Sequence, residues 1–317
     1  MSPLHEEREE IIEEVRRVLI RDGYETKICE AVSSSCFDVV AKKNERLLLI
    51  KILVNIDNYT RDQARDLKKI TRTLTAIPLL IGLRTRRSEL IEGVIHERFG
   101  VKVVGLDTFR NALRDEKPLA YVKRGGMYVK IDGERLRMAR MRLGLSLGEL
   151  AQIIGVTRKT IYEYENGNMY ATLDVAWKLE EVLGEELIRP LSLFEEPKGN
   201  DENERIANGV EGIAKKVKTR LRMLGLKAEA LKRAPFNIVA TNDVKYLRMI
   251  AEAKRKIEEI KHIKLREVRE LAEVMRAKAL VMVEKESNIE DVEGIPVINI
   301  SELTRKRIPE ILMEEYP

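Results

Sequence analysis

Apolar residues recur at helical spacing through Ile11, Ile12, Val15, Val18 and Leu19, which predicts a helix over 6–22 that Gly23 stops. The period then shortens. Runs rich in β-formers at 24–30, 36–41 and 47–54 read as strands, with Asn44 and Glu45 in the turn between the last two. Ala64, Leu67, Ile70 and Leu74 restore the helical period over 59–75. The apolar run at 77–83 reads as a buried strand, 88–97 as a short helix capped by Ser88, 101–105 as a strand and 108–113 as a helix. The order α-β-β-β-α-β-α-β predicts a mixed α/β domain over 1–114.

Residues 115–132 alternate apolar and polar positions on either side of Lys123-Arg124-Gly125-Gly126, which predicts a β-hairpin, either a connector or a wing. The stretch 133–191 reads as all-helical. Polar, Gly/Pro/Asn-rich 192–204 reads as a linker. Over 205–317 the pattern returns to α/β: a helix to Leu224 stopped by Gly225, strands near 226–232, 236–241 and 246–251, helices to Ala277, strands at 279–284 and 296–300, and a terminal helix.

That last order repeats the first. Phe37-Asp38-Val39-Val40-Ala41 is answered by Phe236-Asn237-Ile238-Val239-Ala240, 47–50 by 247–250, 76–81 by 277–282 and 100–104 by 294–298. The matches are collinear, which indicates a duplicated α/β module flanking a central insert. The copies pair either within one chain or between two.

Composition narrows the class. At 317 residues two or three domains are expected. Charged residues make up 35%, and Gln63 and Gln152 are the only glutamines, a bias that resembles heat-adapted proteins. Lys+Arg 58 against Asp+Glu 53 is mildly basic, which permits a nucleic-acid partner without demanding one. Apolar runs are strand-sized and the first residues are acidic, so neither a membrane span nor a signal peptide is expected, and the protein is expected to be cytoplasmic. Two Cys and three scattered His supply neither a disulfide framework nor a zinc site, and no cofactor or metal is expected. Cys29 and Cys36 either face each other across the first hairpin as a disulfide or pack as two reduced thiols.

The central block carries the chemistry. It holds Gly133-Glu134-Arg135-Leu136-Arg137-Met138-Ala139-Arg140 as a first helix, then Ser146-Leu147 opening a second helix, Ala151, Gly155, and Thr157-Arg158-Lys159-Thr160-Ile161-Tyr162-Glu163-Tyr164-Glu165-Asn166-Gly167. Ser146 and Thr157 are helix caps by type and position. The spacing resembles the Cro/phage-repressor helix-turn-helix, with the motif over 147–166. In that family Ala151 packs between helices, Gly155 makes the turn and Ile161 anchors the recognition helix. The resemblance places Thr157, Arg158, Lys159, Thr160, Tyr162, Glu163 and Asn168 at double-stranded DNA. Arg158 would take guanine bidentately and Lys159 guanine or phosphate. Thr160 and Asn168 would touch phosphate or base, and Tyr162 either DNA or the core. Glu163 would either accept from cytosine or repel the backbone. Two departures matter: Leu147 stands where the family often has Gln, and Glu163 where cations are usual. The family also implies a structural ion pair between Arg140 and Glu165. Over 133–191 eight Lys/Arg face nine Asp/Glu, so the basic side would have to be gathered locally. Lys123 and Arg124 would add phosphate contacts if the hairpin is a wing.

The N-terminal order resembles the PD-(D/E)XK nuclease core, whose site needs Asp on one strand and Glu-x-Lys on the next to hold Mg²⁺. Asp38 and Lys51 fit, but position 49 is Leu, and the second copy offers Asn237 and Ala251 at the matching places. Both copies therefore read as degenerate, with Asp38 and Lys51 vestigial and no catalytic residue. The whole layout resembles a family of archaeal HTH-type transcriptional regulators. That implies a sequence-specific regulator acting as a homodimer, with no effector specified. The alternatives are a helix-turn-helix-targeted nuclease selective for DNA structure and a DNA-tethered protein scaffold.

Overall fold

The computed structural model describes residues 3–29, 34–123, 126–195, 212–242, 247–285 and 287–304. The chain divides into two compact units: Met1–Leu80 with Glu196–Pro317, and Ile81–Glu195. Among the described residues no helix is long and apolar enough to cross a membrane.

The first unit opens with α1 (Pro3–Arg21), β1 (Glu25–Ile28), β2 (Val39–Lys43) and β3 (Arg46–Asn55). Then α2 (Arg61–Leu74) begins in a capping box of Thr60 and Gln63. Its apolar side, Ala64, Leu67, Ile70 and Leu74, is buried. Strand β4 (Ile77–Arg84) runs across the division. In the second unit follow β5 (Val94–Arg98), β6 (Val101–Val104), α3 (Leu106–Leu113), β7 (Ala120–Lys123) and β8 (Gly126–Ile131). The helical block is α4 (Gly133–Arg142), α5 (Leu147–Ile154), α6 (Arg158–Glu165), β9 (Ala171–Thr172), α7 (Leu173–Leu183) and β10 (Ile188–Arg189). The first unit resumes with α8 (Ile213–Met223), β11 (Lys227–Ala230), β12 (Ile238–Asn242), β13 (Leu247–Lys254), α9 (His262–Met275), β14 (Lys278–Val283), β15 (Asp291–Val292) and β16 (Ile295–Asn299).

The strand order of the first copy is β1-β2-β3-β4-β6-β5, and that of the second is β11-β12-β13-β14-β16-β15. The correspondence reaches single backbone torsions. Gly23 and Gly225 have φ of 82° and 90°, and Thr75 and Arg276, which end α2 and α9, have 52° and 51°. Left-handed backbone at two non-glycine residues in matching places is the fold's requirement, since neither side chain favours it.

Within the first unit the copies pack reciprocally. Helix α2 lies against β11 and β12, and α9 against β1 and β2. Phe37 meets its own counterpart Phe236 with ring centroids 6.3 Å apart. The Asp66 carboxylate on α2 accepts from the amides of Lys232 and Arg233 at 2.7 and 2.8 Å. A residue that touches its own equivalent marks a two-fold-like arrangement.

Two readings of the pattern change, and one left open is decided. Residues 94–98 are a strand, antiparallel to β6 with His96 opposite Val103, where a helix over 88–97 was expected. Gly93 at φ 73° interrupts a helix there, and Val94 and Ile95 are buried. Strand β13 extends to Lys254 and is aligned one residue further than the sequence match suggested. Val39 faces Ile50 while Ile238 faces Ala251, so the counterpart of Lys51 is Glu252, not Ala251. One residue of slip moves side chains to the opposite face. Cys29 and Cys36 are free thiols, and burial pushes both up from their ordinary value. The expected terminal helix and the linker beyond Glu195 lie outside the described residues.

Candidate nucleic-acid interface

The helical block is organised by its caps. The Asp132 side chain accepts from the Arg135 amide at 3.1 Å and starts α4. Burial pushes its carboxyl up, but the Arg135 amide and the Arg189 guanidinium, 2.7 Å away, outweigh this and hold it below the ordinary value. Ser146 and Glu149 close a capping box on α5, each side chain accepting from the other's amide at 3.2 and 2.7 Å. Gly155 ends α5 at φ 83°, which a Cβ would oppose. Thr157 then caps α6 by accepting from the Thr160 amide at 3.1 Å.

The turn is held from inside. Ala151, Ile154, Ile161 and Tyr164 are buried with Leu136, Ala139, Ala176 and Leu179. Leu147 packs against this cluster, so the position where the resembled family often has a Gln contact is given over to packing. Gly133 lets the start of α4 touch the end of α6: a Cβ there would stand 2.2 Å from the Glu165 carbonyl oxygen. Arg140 grips Glu165 bidentately, Nε to Oε1 at 2.6 Å and a terminal nitrogen to Oε2 at 3.2 Å, and also donates to the Leu145 carbonyl at 2.7 Å. Their side chains are 11% and 8% exposed, so both charges are withdrawn from any ligand.

What remains outside is the amino end of α6. Thr157, Arg158 and Lys159 are exposed, Thr160 is half-buried, and Tyr162 is 53% exposed. Helix amino termini present unpaired N–H groups and a positive dipole end. Glu163 is not loose: the Asn168 amide donates to its carboxylate at 3.0 Å. Asn168 thereby fixes the one acid on this helix's outer side, a partnership the sequence pattern did not show.

The hairpin belongs to the same unit. Tyr128 and Val129 of β8 pair with Thr172 and Ala171 of β9, and Ile131 with Ile188 of β10. Val129, Ile131 and Ala120 share the helices' hydrophobic cluster. The two-residue strands β9 and β10 are too short to leave alternation in the sequence, so the block reads as purely helical until seen folded. Lys123 is exposed, with Nζ 4.9 Å from the centre of the Tyr121 ring, and Tyr121 lies 6.4 Å from Tyr170. Arg124 lies outside the described residues.

The nuclease-like positions are elsewhere and are fully engaged. Asp38 Oδ1 takes Lys51 Nζ at 2.9 Å and Arg8 at 2.7 Å, while Oδ2 accepts the Ile52 amide at 2.6 Å. In the second copy Asn237 makes the equivalent backbone pair, donating to and accepting from Ala253 at 2.9 and 2.8 Å. Buried Glu252, missed through the one-residue slip, faces Lys264 at 2.9 Å and Lys254 at 3.6 Å. Glu252-Ala253-Lys254 has the Glu-x-Lys spacing two residues out of place: Glu252 stands at the position of Lys51, and Ile250 at that of Leu49. Among the described residues no cluster of three or more potential metal ligands forms, and Asp38 already accepts from two cations and an amide. These residues do not fit a divalent metal site.

Residues 8–118 match the PD-(D/E)XK superfamily domain and residues 136–188 the helix-turn-helix family. A relative from Methanocaldococcus jannaschii, named "Putative HTH-type transcriptional regulatory protein", is 38% identical over 88% of this chain and 87% of its own. Relatives of the same name from Pyrococcus abyssi and Thermococcus kodakarensis are 35% and 37% identical, each over 97% of this chain and 96% and 95% of their own. Among solved structures, the restriction-modification controller protein of Aeromonas hydrophila is 35% identical over 20% of this chain and 89% of its own, with a TM-score of 0.16. Full-length similarity at this level, joined to the helix-turn-helix described above, shows that the chain belongs to the archaeal family of HTH-type transcriptional regulatory proteins.

Proposed function

We propose that this regulator reads a specific DNA sequence as a homodimer, with α6 in the major groove. The observation that supports it is the exposure of Thr157, Arg158 and Lys159 at a capped helix amino end whose opposite face is locked by Ile161, Tyr164 and the Arg140–Glu165 pair. Arg158 is assigned to guanine and Lys159 to guanine or phosphate. Thr157, Thr160 and the exposed ring of Tyr162 are assigned to the flanking backbone. Glu163 is assigned to a cytosine amino group, held in place by Asn168. Lys123 is assigned to phosphate, with its hairpin as a wing. One recognition helix covers few base pairs, so two are expected about one DNA turn (~34 Å) apart. The terminal α/β copies are read as a duplicated, non-cutting scaffold that carries this unit.

The test is selection of bound duplexes from a random library with the full chain, followed by titration of the winning site. Arg158→Ala is expected to weaken that site by about 1–3 kcal/mol and to relax one base position, while Lys123→Ala weakens all sequences evenly. Unchanged specificity after Arg158→Ala would remove Arg158 from the readout set. Cleavage of branched or linear DNA with Mg²⁺, abolished by Asp38→Ala, would establish the nuclease reading instead.

A further inference from the structure

The β7–β8 hairpin has two faces of different chemistry. Ala120, Val129 and Ile131 lie in the hydrophobic cluster of the helix-turn-helix, Val122 and Met127 pack against it, and Ala171 of β9 joins them. Alternation along the strands therefore puts Tyr121, Lys123, Tyr128, Lys130 and Thr172 on the other face. The ladder sets these side by side. Tyr121 stands opposite Tyr128, and Tyr128 opposite Thr172, so two rings and a threonine form one row across three strands. Tyr170, two residues before Thr172, adds a third ring, its centroid 6.4 Å from that of Tyr121. Tyr170 is 46% exposed, and Tyr121 and Tyr128 are half-buried.

The row of rings lies between two cations. Lys123 stands opposite Gly126, two residues to one side of Tyr128, and Lys130 lies two residues to the other. Both lysines are exposed, and among the described residues no carboxylate pairs with either. None of β7, β8 and β9 carries an acid. Glu97 of β5 is the acid at the margin, and the Tyr121 hydroxyl donates to it. Lys123 Nζ sits 4.9 Å from the centre of the Tyr121 ring. The Tyr121 ring is thus held at its hydroxyl and at its face, which leaves its orientation set before any ligand arrives. The hydrophobic cluster closes on the opposite face, so the core does not require these rings.

We propose that this face binds single-stranded DNA, with bases stacked on Tyr121, Tyr128 and Tyr170 and phosphates at Lys123 and Lys130. Aromatic platforms flanked by cations suit a single strand, because every base has a face to stack and the backbone meets the charges. A duplex keeps its base faces inside its own stack and would leave the rings without partners. An acidic peptide would satisfy the lysines and likewise leave the rings idle. DNA is the nucleic acid favoured, since the face belongs to the unit that carries α6. The site goes beyond duplex reading by that helix, which uses other residues apart from Lys123.

The test is fluorescence anisotropy of labelled oligo(dT) and oligo(rU) titrated with the full chain. Oligo(dT) is expected to bind, and more tightly than oligo(rU). Tyr170→Ala, an exposed substitution, should weaken oligo(dT) by about fivefold or more. Tyr128→Phe keeps the ring and should leave binding unaltered, whereas Tyr128→Leu should weaken it as Tyr170→Ala does. Arg158→Ala, on α6, should leave oligo(dT) unaltered. Oligo(dT) carrying 5-iododeoxyuridine should photocrosslink to the peptide holding Tyr128 or Tyr170. If circular dichroism shows that Tyr128→Leu does not fold, Tyr170→Ala and the cross-link carry the test. No binding of oligo(dT), no effect of Tyr170→Ala, equal weakening by Arg158→Ala, or cross-links confined to α6 would overturn the proposal. So would tighter binding of oligo(rU), which would make the face an RNA site, or displacement of oligo(dT) by polyglutamate at equal charge concentration, which would reduce it to a site for acidic chains.

Discussion

The two α/β copies keep the same path and differ at polar positions within it. Strand order, the left-handed residues that end α2 and α9, and the helix stops at Gly23 and Gly225 coincide. Asp38 with Lys51 and Arg8 has become Asn237 opposite buried Glu252, and Lys69 of α2, beside Asp66, stands where α9 has Glu270, paired with Lys27. Backbone constraints act through sterics and cannot drift without loss of the fold. Charges can drift in compensated steps, provided each buried one keeps a partner. The difference separates what the module needs in order to fold from what each copy has been free to become.

The most direct way to break that comparison is at its axis. Phe37 and Phe236 are both fully buried and touch each other. Phe37→Ala and Phe236→Ala should each destabilise the first unit by about 3–5 kcal/mol. Because they face one another, the double mutant should fall short of the sum in a denaturant-melt cycle. Additive effects would mean that the rings support separate cores. The polar positions should respond unequally. Asp38→Ala strands Lys51, 2% exposed, and should cost about 3–5 kcal/mol. Asn237→Ala removes two neutral hydrogen bonds and should cost about 1–3 kcal/mol. Equal losses in urea melts would show that Asp38 no longer differs in role from its counterpart. Arg140→Ala in the second unit supplies a reference for a two-member pair. It strands Glu165 at 8% exposure and should cost about 3 kcal/mol, read as lost helicity of the isolated transition. A stable Arg140→Ala protein would contradict the assigned brace.

How much of this was legible follows the range of each signal. Period and caps are local, so α1, α2, the β7–β8 hairpin and the turn at Gly155 could be read directly. The Arg140–Glu165 pair was legible through family resemblance, not through periodicity. Strand register is not local. Residues 47–50 and 247–250 look alike, yet the ladder sets Ile50 against Ala251, which hid Glu252. The helix expected over 88–97 failed because Ile91, Val94 and Ile95 mimic helical spacing while Gly93 breaks it.

The smallest effect sharpens the comparison most finely, because it isolates one torsion. Thr75 and Arg276 occupy left-handed backbone at φ 52° and 51°. An L-residue there costs roughly 1–2 kcal/mol and glycine almost nothing, though glycine loses part of that gain to a freer unfolded chain. Thr75 is β-branched, which makes its conformation the more strained of the two. Thr75→Gly should therefore stabilise by about 0.5–1 kcal/mol in the denaturant midpoint of the first unit. Arg276→Gly relieves the same torsion but deletes the contact with Glu25 at 2.7 Å, whose partners are 62% and 56% exposed. An exposed pair is worth roughly 0–1 kcal/mol, so the net gain should be smaller. In a Glu25→Ala background that contact is already gone, and Arg276→Gly should then gain as much as an ordinary left-handed residue allows. If Thr75→Gly destabilises instead, the shared left-handed ends of α2 and α9 are held by side-chain contacts, and the torsional likeness of the copies loses its steric explanation.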